Sequence, residues 1–268
     1  MALRLHFDFA QYRRAATDDS FLDSVGVPAM LLALLAATVG MGGLNTGLFW
    51  DMNSVFRLLP DAVWANITIL GDALVSLALL SLLAFRFPQL LPAGLLAGLI
   101  ATLLTRSLKP LLAMERPLAA LGEQVHVIGI DLQNFSFPSG HTTAAFVLAG
   151  VYALVLQRER LTVLLFMAAA LVGLSRMAVG AHWLTDVLAG GAFGWFSAWA
   201  GWSLAQRWQW ANSLSGRRVM SALYLLFAIL LFWLDSGYPQ AFPLQMGIAT
   251  LATAACLTTL WKTWRNPT

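Results

Sequence analysis

Long apolar runs almost free of charge leave this chain few folds to choose from. Stretches near 28–50, 64–85, 89–108, 141–157, 161–179, 184–206, 218–234 and 241–261 approach the roughly 20 residues a helix needs to cross a hydrocarbon core. They are continuous runs, not ten-residue alternations, so helices are expected and a barrel is not. The apolar fraction is 59% and the charged fraction 11%, far below the roughly 25% charged of a soluble domain. The predicted fold is an all-α, polytopic transmembrane helical bundle, with the last two of eight spans standing outside a six-helix core. Residues 1–27 are mixed and polar and lack the short basic region of a signal peptide, so they read as a cytoplasmic tail. The remainder, 28–268, reads as a single domain with its core over about 28–206 and the extra spans over about 218–261. Cys256 is the only cysteine, which excludes an intramolecular disulfide.

Charge supplies an orientation. Net charge is +3, from 16 Lys+Arg against 13 Asp+Glu, and in such a chain that excess reports topology and not nucleic-acid binding. With the N-terminus inside, 11 of the 16 basic residues fall on the cytoplasmic side, as the positive-inside rule requires. The opposite side keeps Arg57, Arg106, Lys109, Arg116 and Arg176. The prediction is a multi-pass protein of the cytoplasmic (inner) membrane with both termini cytoplasmic.

Three short segments depart from this apolar background: Lys109 with Arg116-Pro117, then Pro138-Ser139-Gly140-His141, then Ser175-Arg176 with His182 and Asp186. In the eight-span layout all three reach the extracytoplasmic face, as one shared site demands. Ser139 suits the N-cap of a helix starting near 141, and Gly140 admits close approach to the backbone. The positive end of that helix then faces outward as a place for phosphate, with His141 set to donate a proton to a leaving oxygen. His182 and Asp186 are four apart. A carboxylate beside an imidazole fixes its tautomer and leaves the other nitrogen free to attack phosphorus. Lys109, Arg116 and Arg176 would neutralise the phosphate and the charge growing on it. Nothing nearby has metal-ligand spacing, so no metal or other cofactor is expected.

These eleven residues resemble the tripartite signature of the type 2 phosphatidic acid phosphatase (PAP2) superfamily, with every identity present and the spacing within each segment matched. The resemblance spans residues 109–186 and departs at the two C-terminal spans. It implies a helical membrane phosphatase acting on the extracytoplasmic side. His182 would be the nucleophile forming a phosphohistidine, Asp186 its orienting group and His141 the general acid. Lys109, Arg116 and Arg176 would bind phosphate, with hydrogen bonds from Ser139 and the Gly140 amide. Expected substrates are phospholipid or polyprenyl phosphates in the bilayer: undecaprenyl pyrophosphate, phosphatidylglycerol phosphate, phosphatidate or a lipid A phosphate. A lipid phosphotransferase using the same site, a soluble-substrate phosphatase and a non-enzymatic lipid transporter are the alternatives.

Other polar residues carry weaker expectations. Asp72, inside the second span, either faces the site or pairs with a polar neighbour. The 31 residues from 110 to 140, with Pro110, Pro117 and Pro138, are expected to form a loop that collars the site. Glu115 is expected to pair with a nearby arginine and His126 to be a surface residue. Trp50, Trp64, Trp183, Trp261 and Trp264 read as an aromatic belt, and Gly94/Gly98 and Gly190/Gly194 as points of close helix packing.

Overall fold

The structure, a computed structural model, describes residues 26–265. The expected tail lies outside them except for its last two residues. The described chain is all-α, and the apolar runs become helices in the anticipated order. They are α1 (Val27–Met41), α2 (Asn45–Phe56), α3 (Asp61–Ile69), α4 (Ala73–Ser81), α5 (Leu90–Leu112) and the short α6 (Pro117–Leu121). There follow α7 (Gly140–Leu156), α8 (Glu159–Ala178), α9 (Leu184–Arg207), a single turn α10 (Gln209–Asn212), α11 (Leu214–Leu230) and α12 (Phe242–Arg265). Among the described residues, three helical segments are long and apolar enough to cross a membrane alone, and two bent pairs qualify if each counts as one span. The chain is a multi-pass helical bundle.

Both expected N-terminal spans are broken, each for a local reason. α1 and α2 meet at 105°, across Gly42-Gly43, where Gly43 has φ +65°. The helix beyond the bend carries Asn45, Asp51 and Asn53, which lipid would not solvate. α2 instead lies over the site end of the bundle. The Asn53 amide donates to the carbonyls of Met177 (3.1 Å) and Ala178 (3.4 Å) at the end of α8, and Asn45 donates to Thr185 of α9. α3 and α4 meet at 64°. Asp72 caps α4, accepting from the amides of Leu74 (2.9 Å) and Val75 (3.2 Å), so the new helix end inside the bundle keeps its donors satisfied. Gly71 precedes it because a Cβ there would lie 2.6 Å from the His141 carbonyl oxygen.

α9 is the central helix, packed against α1, α5 and α7. Its glycines set the spacing. A Cβ on Gly190 would stand 2.7 Å from the Ser139 carbonyl oxygen, and one on Gly194 2.4 Å from that of Thr143. Close approach here brings the second sequence segment against the third. The C-terminal hairpin α11–α12 packs on α4, and Tyr224 of α11 hydrogen-bonds the Leu91 carbonyl at 2.8 Å.

Two expectations change. Pro110 does not open the loop: α5 runs through it to Leu112, because a proline in the final turn forfeits one intrahelical bond with little helix left to disrupt. Left-handed Ala113 (φ 43°) then ends the helix, its amide donating to the Lys109 carbonyl. Nor do all five tryptophans form a belt. Trp64 and Trp183 are buried, their indoles donating to the carbonyls of Phe56 and Glu115, while Trp261 and Trp264 are exposed.

Candidate active site

The collar from 113 to 139 is ordered by folding back on itself. The Arg116 amide donates to the Gln133 carbonyl and the Ser136 amide to the Met114 carbonyl, both at 2.8 Å. That pairing brings the carbonyls of residues 134 and 135 beside the first basic segment. Arg116 Nε donates to the Asn134 carbonyl at 2.8 Å, and Lys109 Nζ donates to the Phe135 carbonyl. Glu115 makes no ion pair among the described residues. His126 pairs with Asp61 at 2.8 Å, both side chains partly exposed, and stands apart from the site.

The third segment forms the floor. α8 ends at Ala178 and the chain turns through Gly180, whose φ is +71° and whose hypothetical Cβ would strike the His126 carbonyl at 2.4 Å. His182 is therefore in the turn before α9 and not on the helical face shared with Asp186. The two still meet: His182 Nδ1 lies 3.2 Å from Asp186 Oδ2. The same carboxylate oxygen accepts from the Trp183 amide at 2.9 Å and from the Ser136 hydroxyl. Oδ1 is buried without a partner. With a carboxylate on Nδ1, that nitrogen carries the proton and Nε2 carries the lone pair. Arg116 Nη1 lies 3.3 Å from Nε2 and also donates to the Ala181 carbonyl at 2.9 Å.

Arg176 is 2% exposed and reaches the site from the last turn of α8. Its Nη1 donates to Thr68 Oγ1 of α3 at 2.6 Å and to the Tyr238 hydroxyl at 2.7 Å. Its Nε is buried with no acceptor. Among the described residues, no carboxylate forms an ion pair with Lys109, Arg116 or Arg176. Three cations thus stand around one buried imidazole, with Asp186 as the nearby carboxylate but none in ion-pair contact with them. Burial, followed by the charges of Arg116, Arg176 and Lys109, holds His182 well below its ordinary pKa of 6.5, favouring the neutral ring.

The second segment closes the ring of groups. Ser139 caps α7, its hydroxyl accepting from Thr142, and its amide donates to the Asp186 carbonyl at 3.1 Å. Gly140, His141, Lys109, Phe135 and Asp72 line a cavity of about 740 Å³. A Cβ on Gly140 would meet nothing within 4 Å, so that backbone faces open space. The cavity continues between α4, α5 and α7 along Leu77, Leu80, Leu95 and Val147 to Phe227 of α11, an apolar trough leading from a cationic mouth. Of the eight residues singled out from the sequence, Lys109, Gly140 and His141 line this cavity, and Arg116, Arg176, His182, Asp186 and Ser139 stand beside them through hydrogen bonds or charge. Asp72 lines the cavity, the first of its two expected placements, and its carboxylate accepts from the amides of Leu74 and Val75 and not from a polar side chain.

Sequence reasoning noted Thr68 only as a polar residue preceding Asp72 and missed Ser136 and Tyr238. Ser136 sits two residues before a recognised motif, which offered a weak signal. Tyr238 lies in the turn between the two C-terminal spans, on the membrane side already assigned to the site, and that coincidence was the available clue.

Comparison with known proteins places the chain. A lipid A 1-phosphatase of Rhizobium etli is 47% identical over 64 residues, 23% of this chain and 26% of that protein. A lipid A 1-phosphatase of Rhizobium johnstonii is equally identical over the same length. The match spans about a quarter of the length of these curated relatives. Among solved structures, Aquifex aeolicus LpxE aligns with TM-score 0.53 and 32% identity, covering 60% of this chain and 95% of that one. A PAP2-type phosphatidylglycerolphosphate phosphatase from Bacillus subtilis aligns with TM-score 0.51 over 68% of this chain and 95% of its own, at 23% identity, a likeness of fold alone. The PAP2 superfamily model matches residues 29–210, well over half of the sequence, and the chain belongs to that superfamily.

Proposed function

We propose that this protein is a membrane lipid phosphatase that works through a phosphohistidine on His182, with the chain acting as one phosphatase unit and its headgroup site on the extracytoplasmic face. The observation that carries the reading is the buried imidazole of His182, tied by Nδ1 to Asp186, touched by Arg116 and within the field of Arg176 and Lys109, beside the apolar trough that Lys109, Gly140 and His141 line. A phosphate at that mouth satisfies Lys109, Arg116 and Arg176, and the trough receives part of an acyl or prenyl chain. The extracytoplasmic placement rests on the distribution of basic residues between the two faces.

The reaction follows from the contacts. In the resting site Arg116 covers the lone pair of His182 Nε2. An incoming phosphate draws the guanidinium onto its own oxygens, which is the stronger, charge-assisted contact, and frees the nitrogen. Nε2 forms a bond to phosphorus while the bond from phosphorus to the lipid oxygen breaks, and His141 gives that oxygen its proton. Asp186 stabilises the charge that the His182 ring gains. A water then attacks phosphorus, His141 takes its proton, the P–N bond breaks, and inorganic phosphate leaves with His182 restored. Arg116, Arg176 and Lys109 carry the charge on the equatorial oxygens, and the Gly140 amide and Ser139 complete the cradle.

A lipid A 1-phosphate is the substrate we favour, supported by the names of the Rhizobium relatives. Undecaprenyl pyrophosphate, phosphatidylglycerol phosphate and phosphatidate belong to the same class. The test is phosphate release by purified full-length protein from each of these lipids in mixed micelles, beside the His182→Ala variant. Release by the parent and none by the variant is expected. Turnover retained without His182, or transfer of the phosphoryl group to an added lipid acceptor in place of water, would overturn the reading.

A further inference from the structure

At the end of the bundle away from the phosphate site, the C-terminal hairpin and the turn after α4 enclose a second cavity of about 880 Å³. Its lining includes Arg217 of α11, Lys262 and Arg265 of α12, and the polar residues Asn212, Thr259 and Thr263, whose side chains donate to helix carbonyls. No carboxylate among the described residues lines it. Neither these cations nor the adjacent Arg218 makes an ion pair among the described residues. Their neighbours are aromatic and backbone groups. Lys262 Nζ lies 4.4 Å from the Phe85 ring centre, Arg265 5.0 Å from that of Trp261, and Arg218 4.1 Å from that of Trp264. Arg218 also donates to the Thr263 carbonyl at 2.8 Å.

Two of these charges stand where a helix disfavours them. Lys262 and Arg265 end α12 and complement the negative pole of its dipole. Arg217 and Arg218 follow closely on the Ser213 cap of α11, at the positive pole. The Nε atoms of both are buried without an acceptor. Snorkelling explains cations at a membrane border, but it leaves the two buried Nε atoms of these half-buried side chains without an acceptor. Like charges converging on one concave space that no described carboxylate lines make it a place for an anion.

We propose that this cavity is a second anion site, one that holds the phosphate of a negatively charged membrane lipid headgroup. Ala84, Phe85, Pro88 and Leu214 supply an apolar wall beside the cations, suited to the part of a lipid just below its phosphate. Basic pockets between membrane helices take such headgroups, and inorganic phosphate presents the same chemistry. The site lies on α11, α12 and the turn after α4, so a bound headgroup clamps the hairpin to the core. That hairpin carries Tyr238 to Arg176 at its opposite end. The inference stands on these residues alone and does not depend on the catalytic reading.

The test uses full-length protein in nanodiscs of phosphatidylcholine with rising fractions of phosphatidylglycerol, read by native mass spectrometry and by Tm. The parent protein is expected to retain phosphatidylglycerol in preference to phosphatidylcholine and to gain Tm with its fraction. Arg217→Gln with Lys262→Gln weakens the preference by about thirtyfold, and the exposed Lys262→Gln alone by about fivefold, from the worth of a surface cation. Lys262→Arg keeps it. Arg160→Gln, an exposed cation at the same end but outside the cavity, leaves it unchanged. Inorganic phosphate titrated into pure phosphatidylcholine nanodiscs separates the two sources: a Tm rise that needs Arg217 and Lys262 keeps the anion site and assigns it a soluble ligand. The proposal fails if neither probe binds in preference, if the preference survives the double substitution, or if Arg160→Gln erodes it equally.

Discussion

Replacing Tyr238 with phenylalanine removes one oxygen and keeps the ring whose centre stands 5.9 Å from the Arg176 guanidinium carbon. Arg176 Nη1 then has Thr68 alone, at 2.6 Å, where it had two acceptors, and its Nε already has none. A hydrogen bond to a charged group contributes about 1.5–3 kcal/mol. If that bond fixes the guanidinium where phosphate charge develops, kcat/KM falls roughly tenfold to a hundredfold, mostly in kcat. Thr68→Val produces a loss of similar size. The double variant falls short of the product of the two, because both act on one nitrogen. The assay is phosphate release from a lipid phosphate at saturating and limiting substrate, with Tm followed alongside. A merely structural contact would lower Tm and leave the kinetics intact at a permissive temperature. Activity of Tyr238→Phe within twofold of the parent, with Arg176→Ala inactive, would refute the positioning argument.

Asp186→Asn keeps the shape but loses the carboxylate that sets the His182 tautomer, so kcat is expected to drop by about 10³–10⁴; a loss under tenfold, measured by phosphate release, would show that the carboxylate does not orient the ring. The acidic limb of the kcat/KM profile should lie below the ordinary imidazole value of 6.5, because burial and then the neighbouring cations disfavour protonated His182. Removing one of those cations with Arg116→Gln raises the His182 pKa and moves the limb to higher pH, and a shift in the other direction contradicts the assignment. Gly194→Ala would drive a methyl to 2.4 Å from the Thr143 carbonyl oxygen; wedging α7 off α9 should cost about 1–3 kcal/mol, seen as a lower Tm together with lower activity, whereas Gly47→Ala, with open space around it, should leave the packing of α7 on α9 undisturbed.

Much of this protein was legible in one dimension because lipid leaves the backbone few choices. A long apolar run must satisfy its own amides, so it becomes a helix wherever it occurs, and the order of helices followed from the order of runs. The clustering of Lys109, Arg116, Ser139, Gly140, His141, Arg176, His182 and Asp186 was readable too, since spacing and an alternating path across the membrane bring their helix ends to one face. The bends were not. They depend on where a glycine pair and a polar helix meet the end of the bundle, and on Asp72, visible in the sequence as a lone acid in an apolar run, serving as a helix cap.

The finer content of the site belongs to the tertiary structure. Which oxygens occupy the donors of Arg176 is decided by Thr68, 108 residues upstream, and by Tyr238, 62 residues downstream. That Asp186 also holds Ser136, and that Arg116 rests on the nitrogen His182 would use, follows from a collar folded back on its own carbonyls. Periodicity and composition act over a turn or a span and so determine helices, their sequence and their sides. A buried hydrogen bond between residues remote in the chain is determined only when those helices pack, because its energy depends on distances of a few tenths of an ångström that no local pattern encodes.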